Sequence, residues 1–410
     1  MSVSRSVPRA LLAVVAALAM MLGLITAAPR AAAAGADATA TSTATATVSK
    51  GGAENGTRLM DGAALYPRVI RLAHSGRANG RIIASAVTFA DGAGVGAVFQ
   101  STDRGRSFQR IGSITDPGAT KGLCCSTLFE LPRRVGKLPA GTLLWSASVG
   151  QDAGDSRRMT LPLWASRDHG RTWSKLAQVA VSPNFGGLWE PELTVSRDGR
   201  LVLFVSDESQ QPTHSQVLAA TTSRDGVHWG TLSNVVAADD PELRPGMPMV
   251  RRAPNGTYLM SYEICGGTQE CRQFLRRSAD GVHWGDQSAL GSPLTTADGQ
   301  YFEHAPTISW YPDGTPGGRW LTVGQMLYGS DGQVAKGSGA TVLTNRTGGY
   351  GPWRSAAAPV RINNPYNNYC PNYSSSLLPM PERGALLEMA TGYDSSGTCT
   401  TYFATGALPR

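Results

Sequence analysis

The 410-residue chain carries a formal charge of +7, with only 16% charged residues and 48 glycines. No basic run is interleaved with aromatic residues, which argues against a nucleic-acid partner. The light charge and dense glycine suit a turn-rich, all-β secreted protein.

At the N-terminus, Arg5 and Arg9 precede an apolar run that ends in small residues, "APRAAAAGADA". This reads as a signal peptide over 1–34, cleaved near Ala32 to Ala34, with a membrane anchor as the alternative. No other long apolar stretch follows, so the expectation is a secreted, extracellular protein with no membrane association after cleavage. Three of the 37 basic residues (Arg5, Arg9 and Arg30) fall in the leader, leaving +4 on the remainder. The polar, low-complexity "ATATSTATATVSKGGAENG" makes 35–60 a flexible linker. Residues 61–410 remain as the folded body, long for one ordinary domain but normal for a propeller.

Along that body one unit recurs. "YPRVIRL" (66–72) is followed by a turn and a second apolar strand, "NGRIIASAV", and then by "STDRGRSF" (101–108). "CCSTLFEL" (124–131) leads to "AGTLLWSAS" and "SRDHGRTW" (166–173). "EPELTV" (190–195) leads to "DGRLVLFVS" and "SRDGVHW" (223–229), and "MPMV" (247–250) to "NGTYLMSYE" and "SADGVHW" (278–284). "APTISW" (305–310) leads to "PGGRWLTVG" and a degenerate "TNRTGGYGPW" (344–353). "NYSSSLL" (372–378) leads to "ERGALLEMA".

Four S-x-D-G-type turns at spacings of 65, 57 and 55 residues are a strong repeat signal. In each, the Asp side chain can accept backbone N–H bonds, Gly takes a left-handed position and the final aromatic packs back on the sheet. Six strand–turn–strand units predict an all-β, six-bladed β-propeller. Ring closure is expected from "YPRVIRL" lying near the last blade. A β-helix has a much shorter period.

Six cysteines in an exported chain make disulfides plausible. Cys265 could close a short loop with Cys271, and Cys370 could reach Cys399. Cys124 and Cys125 could bridge each other or bond separately. With no C-x-x-C pair and no H-E-x-x-H, neither a metal site nor any cofactor is expected.

In a propeller, the head of each inner strand and the far end of the second strand face the ligand cleft. The heads carry Arg68, Cys124 and Cys125, Glu190 with Glu192, Arg244, Glu303 with His304, and Tyr373. The far ends carry Asp152, Asp207 and Glu208, Glu263, Gln325, and Tyr393 with Asp394. Asp207 and Glu208 read as loop or supporting charges.

The repeated Asp-turns on this six-fold pattern resemble the Asp-box propellers of the sialidase superfamily over essentially 61–410. That resemblance makes Asp103, Asp168, Asp225 and Asp280 markers of the fold on the outer blade edges, not catalytic groups. Sialidases hold a sugar carboxylate with three arginines and use a tyrosine paired with a glutamate, beside an aspartic acid. Arg68 matches the first arginine, Tyr373 the tyrosine, and Asp91 stands at a plausible distance for the acid. The fourth head, however, reads "RPGMPMV", its second strand ends in "MSYEICG", and no third arginine appears in the fifth blade. Without such a guanidinium set a sugar carboxylate would be held poorly, which points to a neutral sugar.

"LWEPEL", with "MSYE" ending 73 residues after Glu190, on a propeller opening with "YPR", resembles glycoside hydrolase family 93. The family's members are sialidase-fold exo-α-1,5-L-arabinanases that act with retention. The resemblance implies Glu190 and Glu263 as the catalytic pair, and Arg68 and Tyr373 as substrate-binding residues; the sequence leaves open which glutamate is the nucleophile, with Glu190 taken as nucleophile and Glu263 as acid/base. Trp189 offers an apolar wall to a sugar and to an acid. By strand alternation Glu192 faces the same side as Glu190, which makes it a rival and a substrate-binding candidate. Arg244 either binds ligand or pairs with Glu242; His304 either touches substrate or is structural. The expectation is thus a monomeric glycosidase acting on an oligo- or polysaccharide. Its alternatives are an exo-sialidase with a non-standard arginine set and a non-catalytic glycan-binding propeller.

Overall fold

A computed structural model describes residues 48–409, and every described regular element is a strand or a short 3-10 turn. The expected signal peptide, and the expected linker up to residue 47, lie outside the described residues. Six antiparallel sheets follow one another around a ring. Blade 1 uses Leu65–Arg71, Ile82–Ala90, Ala93–Ser101 and Gln109–Ile114. Blade 2 uses Leu123–Glu130, Leu143–Val149, Thr160–Ser166 and Ser174–Val181. Blade 3 uses Leu188–Val195, Leu201–Asp207, Val217–Ser223 and Ser233–Val236. Blade 4 uses Arg244–Arg252, Tyr258–Cys265, Arg272–Ser278 and Ser292–Pro293, and is extended by Tyr301–Glu303 and Met326–Tyr328. Blade 5 uses Thr307–Tyr311, Arg319–Val323, Thr341–Asn345 and Arg354–Ala357. Blade 6 uses Ser376–Met380, Ala385–Tyr393 and Cys399–Ala407.

The outer strand of blade 6 comes from the other end of the chain. Thr57–Arg58 pairs with Phe403 and Tyr402, Leu59 is buried behind it, and Arg58 meets Asp394 at 3.3 Å. The ring is therefore laced shut inside the stretch expected to be a linker, while the inner strand of blade 1 packs beside that of blade 6. A polar composition did not prevent order here, because two residues can satisfy an open sheet edge with backbone bonds alone.

The Asp-turns sit where the third strand of a blade leaves for the fourth. Asp103 accepts the N–H groups of Arg106 and Ser107 at 3.1 and 3.0 Å, and the Gly105 N–H reaches Ser101 Oγ at 2.8 Å. In blade 5, Asn345 takes over both tasks, accepting from Thr347 and Gly349 at 2.9 and 2.8 Å. Turn donors that would otherwise be unpaired are thereby satisfied.

The inner strands share a second device. In blades 1 to 4 each carries one extra residue against its neighbour, a β-bulge between Leu65 and Arg68, Cys124 and Thr127, Trp189 and Glu192, and Gly246 and Met249. One residue of each bulge is left-handed: Tyr66, Cys125, Glu190 and Met247, with φ of 52°, 61°, 51° and 56°. Ala305 and Ser374, at 49° and 53°, stand at the same place in blades 5 and 6. A left-handed non-glycine residue costs on the order of 1–3 kcal/mol and needs support from its surroundings. In four blades the next residue is proline (Pro67, Pro191, Pro248, Pro306), so the bulged position has no N–H to leave unpaired. From these positions Tyr66, Met247 and Ala305 cluster with Cys125 and with Tyr373. The residues two positions on, including Arg68, Thr127 and Glu192, line a buried tier below.

Candidate active site

Blades 3 and 4 supply Glu190 and Glu263 to one cleft. Glu190 occupies the left-handed bulge position of blade 3, and its N–H donates to Ser148 Oγ at 3.1 Å. Its carboxylate accepts from Ser206 Oγ at 2.7 Å, and that hydroxyl accepts the Met247 N–H at 2.9 Å. Glu263, near the end of the second strand of blade 4, pairs across the sheet with Gly246 and accepts the Ala305 N–H at 2.6 Å. Both line a cleft of about 480 Å³ with Cys124, Cys125, Gln151, Trp189 and other residues described below.

Burial pushes the Glu190 carboxyl up to about 7, against the pull of the Ser206 hydroxyl. Burial, reinforced by the neighbouring Glu190 charge, pushes Glu263 up to about 8 against the Ala305 N–H. Tyr373, in the same cleft lining, is held well above the ordinary tyrosine range by burial and by both carboxylates. Near neutral pH its phenol is a hydrogen-bond donor, not a phenolate.

Glu208 organises one wall. It accepts from the Trp189 indole and from the Gly187 N–H, both at 3.0 Å, and from Arg244 at 2.6 Å. These donors hold its carboxyl below the usual range despite partial burial. A side chain at Gly187 would bring a Cβ within 1.9 Å of the Trp189 indole nitrogen, so only glycine leaves room for this anchor. Arg244 is further engaged by Gln216 Oε1 at 2.8 Å and the Ser215 carbonyl at 3.0 Å. Its acidic partner is Glu208, not Glu242: the strand end of blade 3 returns beside the head of blade 4.

The structure brings Glu190, Glu263, Trp189, Arg244 and Tyr373 to one cleft. It does not bring Glu192 or Arg68. The bulge breaks the alternation that would have put Glu190 and Glu192 on one face. Glu192 is 3% exposed, accepts from Thr127 Oγ1 at 2.9 Å, and pairs with Arg251. Arg68 lies under Tyr66, its guanidinium carbon 4.1 Å from the ring centre, and donates to Ser374 Oγ at 3.0 Å and to the Ser374 carbonyl at 3.1 Å. His304 stands outside the lining, half-buried against the Cys265–Cys271 bridge, and burial lowers its pKa. Those three residues offer atoms within 4.8 Å of one another, but sulfurs bonded to each other are not thiolate ligands. Asp91 is exposed in a hairpin turn.

All three cysteine pairings weighed from the sequence occur: Cys124–Cys125, Cys265–Cys271 and Cys370–Cys399. Sequence reasoning missed Gln151, Gln216 and Tyr369 as lining residues, and Glu208 as the organiser of the wall. The polar-aromatic loop "NNPYNNYC" was the available signal for Tyr369.

No protein-family model matches the chain, and no curated protein matches it. Among solved structures, the alpha-L-arabinanase of Penicillium chrysogenum complexed with arabinobiose is similar at 24% identity. The match covers 87% of this chain and 98% of that one, with a TM-score of 0.72. The GH93 alpha-L-arabinofuranosidase of Fusarium graminearum with arabinobiose matches at 24% identity over the same shares, with a TM-score of 0.70. A Hadza microbial sialidase matches at 15% identity over 84% of this chain and 66% of that one, with a TM-score of 0.56. These likenesses establish the six-bladed, sialidase-like propeller.

Proposed function

We propose that the protein is a secreted, retaining glycoside hydrolase that acts in exo fashion on a neutral polysaccharide, α-1,5-arabinan being the first choice. The observation that carries this reading is the pair Glu190 and Glu263, two half-buried carboxyls raised into the neutral range on adjacent blades of one cleft. Retaining hydrolysis needs one such group ionised as nucleophile and one protonated as acid. Glu263, the more strongly raised, is the acid/base; Glu190, oriented by Ser206, is the nucleophile. Trp189 and Tyr373 give a sugar an apolar wall and a hydroxyl donor. The likeness to an arabinanase and an arabinofuranosidase, each bound to arabinobiose, supports the substrate class. Three disulfides, and the lack of any described helix long and apolar enough to cross a membrane, fit an extracellular protein.

A sialidase reading has less support. The one arginine lining the cleft, Arg244, is taken up by Glu208, and Arg68 is buried on Ser374. No free guanidinium in that lining is left to grip a sugar carboxylate.

The test is hydrolysis of linear α-1,5-arabinan and arabino-oligosaccharides, with product anomers followed by NMR, in wild type, Glu190→Gln and Glu263→Gln. Terminal release with retention, lost in both folded variants, is expected. Wild-type turnover in either variant would overturn the catalytic pair, and inversion would overturn the mechanism. Glycan binding with no hydrolysis of any substrate would favour a binding propeller.

A further inference from the structure

The Cys124–Cys125 bridge is unusual in where it is placed. A disulfide stabilises chiefly by closing a loop in the unfolded chain, and the effect shrinks as the loop shortens. Adjacent cysteines enclose no loop, so this bond contributes almost nothing in that way. The Cys370–Cys399 bridge, by contrast, spans 29 residues.

The vicinal pair instead forms cleft surface. Cys125 takes the left-handed bulge position in blade 2, the position that Glu190 takes in blade 3. Both cysteines are half-buried and line the cleft with Glu190, Glu263 and Tyr373. Cys125 also packs on the cluster of Tyr66, Met247 and Ala305, which fixes the bridge from behind. Beside it in the lining stands Gln151, whose Oε1 is buried without a hydrogen-bond partner. The loop is fitted closely: a Cβ on Gly122, φ 100°, would fall 2.4 Å from Asp152 and 2.5 Å from Gln151. A bonded sulfur pair is polarisable and apolar and donates no hydrogen bond, so it favours the C–H face of a sugar.

We propose that the Cys124–Cys125 disulfide, with Gln151 beside it, forms a sugar-contacting wall of the cleft that Trp189 also lines. The sugar's C–H face lies on the sulfurs. This rests on the glycosidase reading of the same cleft and names the surface that recognises the sugar.

Two measurements test it. In Glu263→Gln, used to hold substrate uncleaved, the Cys124–Cys125 bridge is reduced under mild conditions with a water-soluble phosphine. The phosphine becomes its oxide as the S–S bond gives two thiols, which are alkylated and quantified by mass spectrometry. Saturating arabinotriose is expected to slow labelling of Cys124 and Cys125 at least about fivefold while leaving Cys370 and Cys399 unchanged. In the second, Cys124→Ala with Cys125→Ala, and separately Gln151→Ala, are expected to raise KM about tenfold and to change kcat less than about threefold. Circular dichroism and melting temperature report their folding. If the double variant does not fold, the labelling result decides.

Equal labelling with and without a bound glycan, or an unchanged KM in both folded variants, would overturn the wall. If arabinotriose does not bind but another glycan does, the arabinan reading fails and the same protection is read with that glycan. Binding of no glycan overturns both.

Discussion

Glu190 and Glu192, separated by one proline on one strand, serve different environments. Glu190 meets the Ser206 hydroxyl in the cleft, whereas Glu192 is ion-paired with Arg251 in the buried tier below. Isosteric amide substitution should therefore split their effects. Glu192→Gln leaves the partly exposed Arg251 guanidinium without its charge, and should cost about 1–3 kcal/mol of stability with turnover nearly intact. Glu190→Gln should lower turnover by about 10²–10⁴-fold with stability kept. Urea unfolding alongside arabinan hydrolysis checks both; an inactive but stable Glu192→Gln would exchange the assignments.

The pH profile follows from the same pair. On the proposed mechanism Glu190 attacks as the ionised carboxylate, so kcat/KM should rise through about 7, and Glu263 acts with its proton on, so kcat/KM should fall beyond about 8. Ordinary glutamates near pH ~4.3 would give an acidic optimum instead. With an activated aryl glycoside, Glu263→Gln should retain the acidic limb and lose the alkaline one. A wild-type maximum near pH 4–5, expected of unshifted carboxyls, would contradict the buried pair.

Glu208→Ala removes the anchor of both Trp189 and Arg244. Substrate affinity should fall about tenfold, on the order of 1.4 kcal/mol, with a smaller change in kcat. Steady-state kinetics would show this as a KM effect, and indole fluorescence should report the freed Trp189. An unchanged KM would mean that this wall does not meet substrate.

Far from the cleft, Glu388 is 1% exposed and its carboxylate accepts from the Val360 N–H at 2.9 Å. Burial raises its carboxyl to about 8 from an ordinary 4.5. Because the folded value is raised, its contribution is complete below about 4.5 and is lost as pH rises through about 8. Glu388→Gln can still accept the Val360 bond, and should raise the melting temperature at pH 9 by several degrees and flatten its fall between about 4.5 and 8. A melting curve across pH 5–9, parallel to wild type, would refute the effect.

Much of the architecture was legible because it rests on local chemistry repeated in phase. Asp103, Asp168, Asp225 and Asp280 satisfy donors within a few residues of themselves, so their turns can be read from short strings. The same holds for the cysteine pairs, each of which is close in sequence or spans one hairpin. Other features depended on partners dozens to hundreds of residues away. Alternation misplaced Glu192 because a bulge inserts one residue between it and Trp189. Arg68, matched to a carboxylate-binding arginine, is instead consumed by Ser374 across the ring seam. The stretch around Thr57 read as a spacer because its partners lie in the final strand.

The sequence by itself determined the all-β repeat, its six units, and the two glutamates at the head of one blade and the end of the next. Hydrogen bonds that close over three or four residues, and apolar alternation along a strand, encode those features locally. Only the tertiary structure decided that Glu190 rather than Glu192 shares a cleft with Glu263, that Glu208 takes Arg244, and that a vicinal disulfide lines that cleft. Each depends on the left-handed bulges and on the closing of the ring, which bring together side chains whose separation no local pattern records.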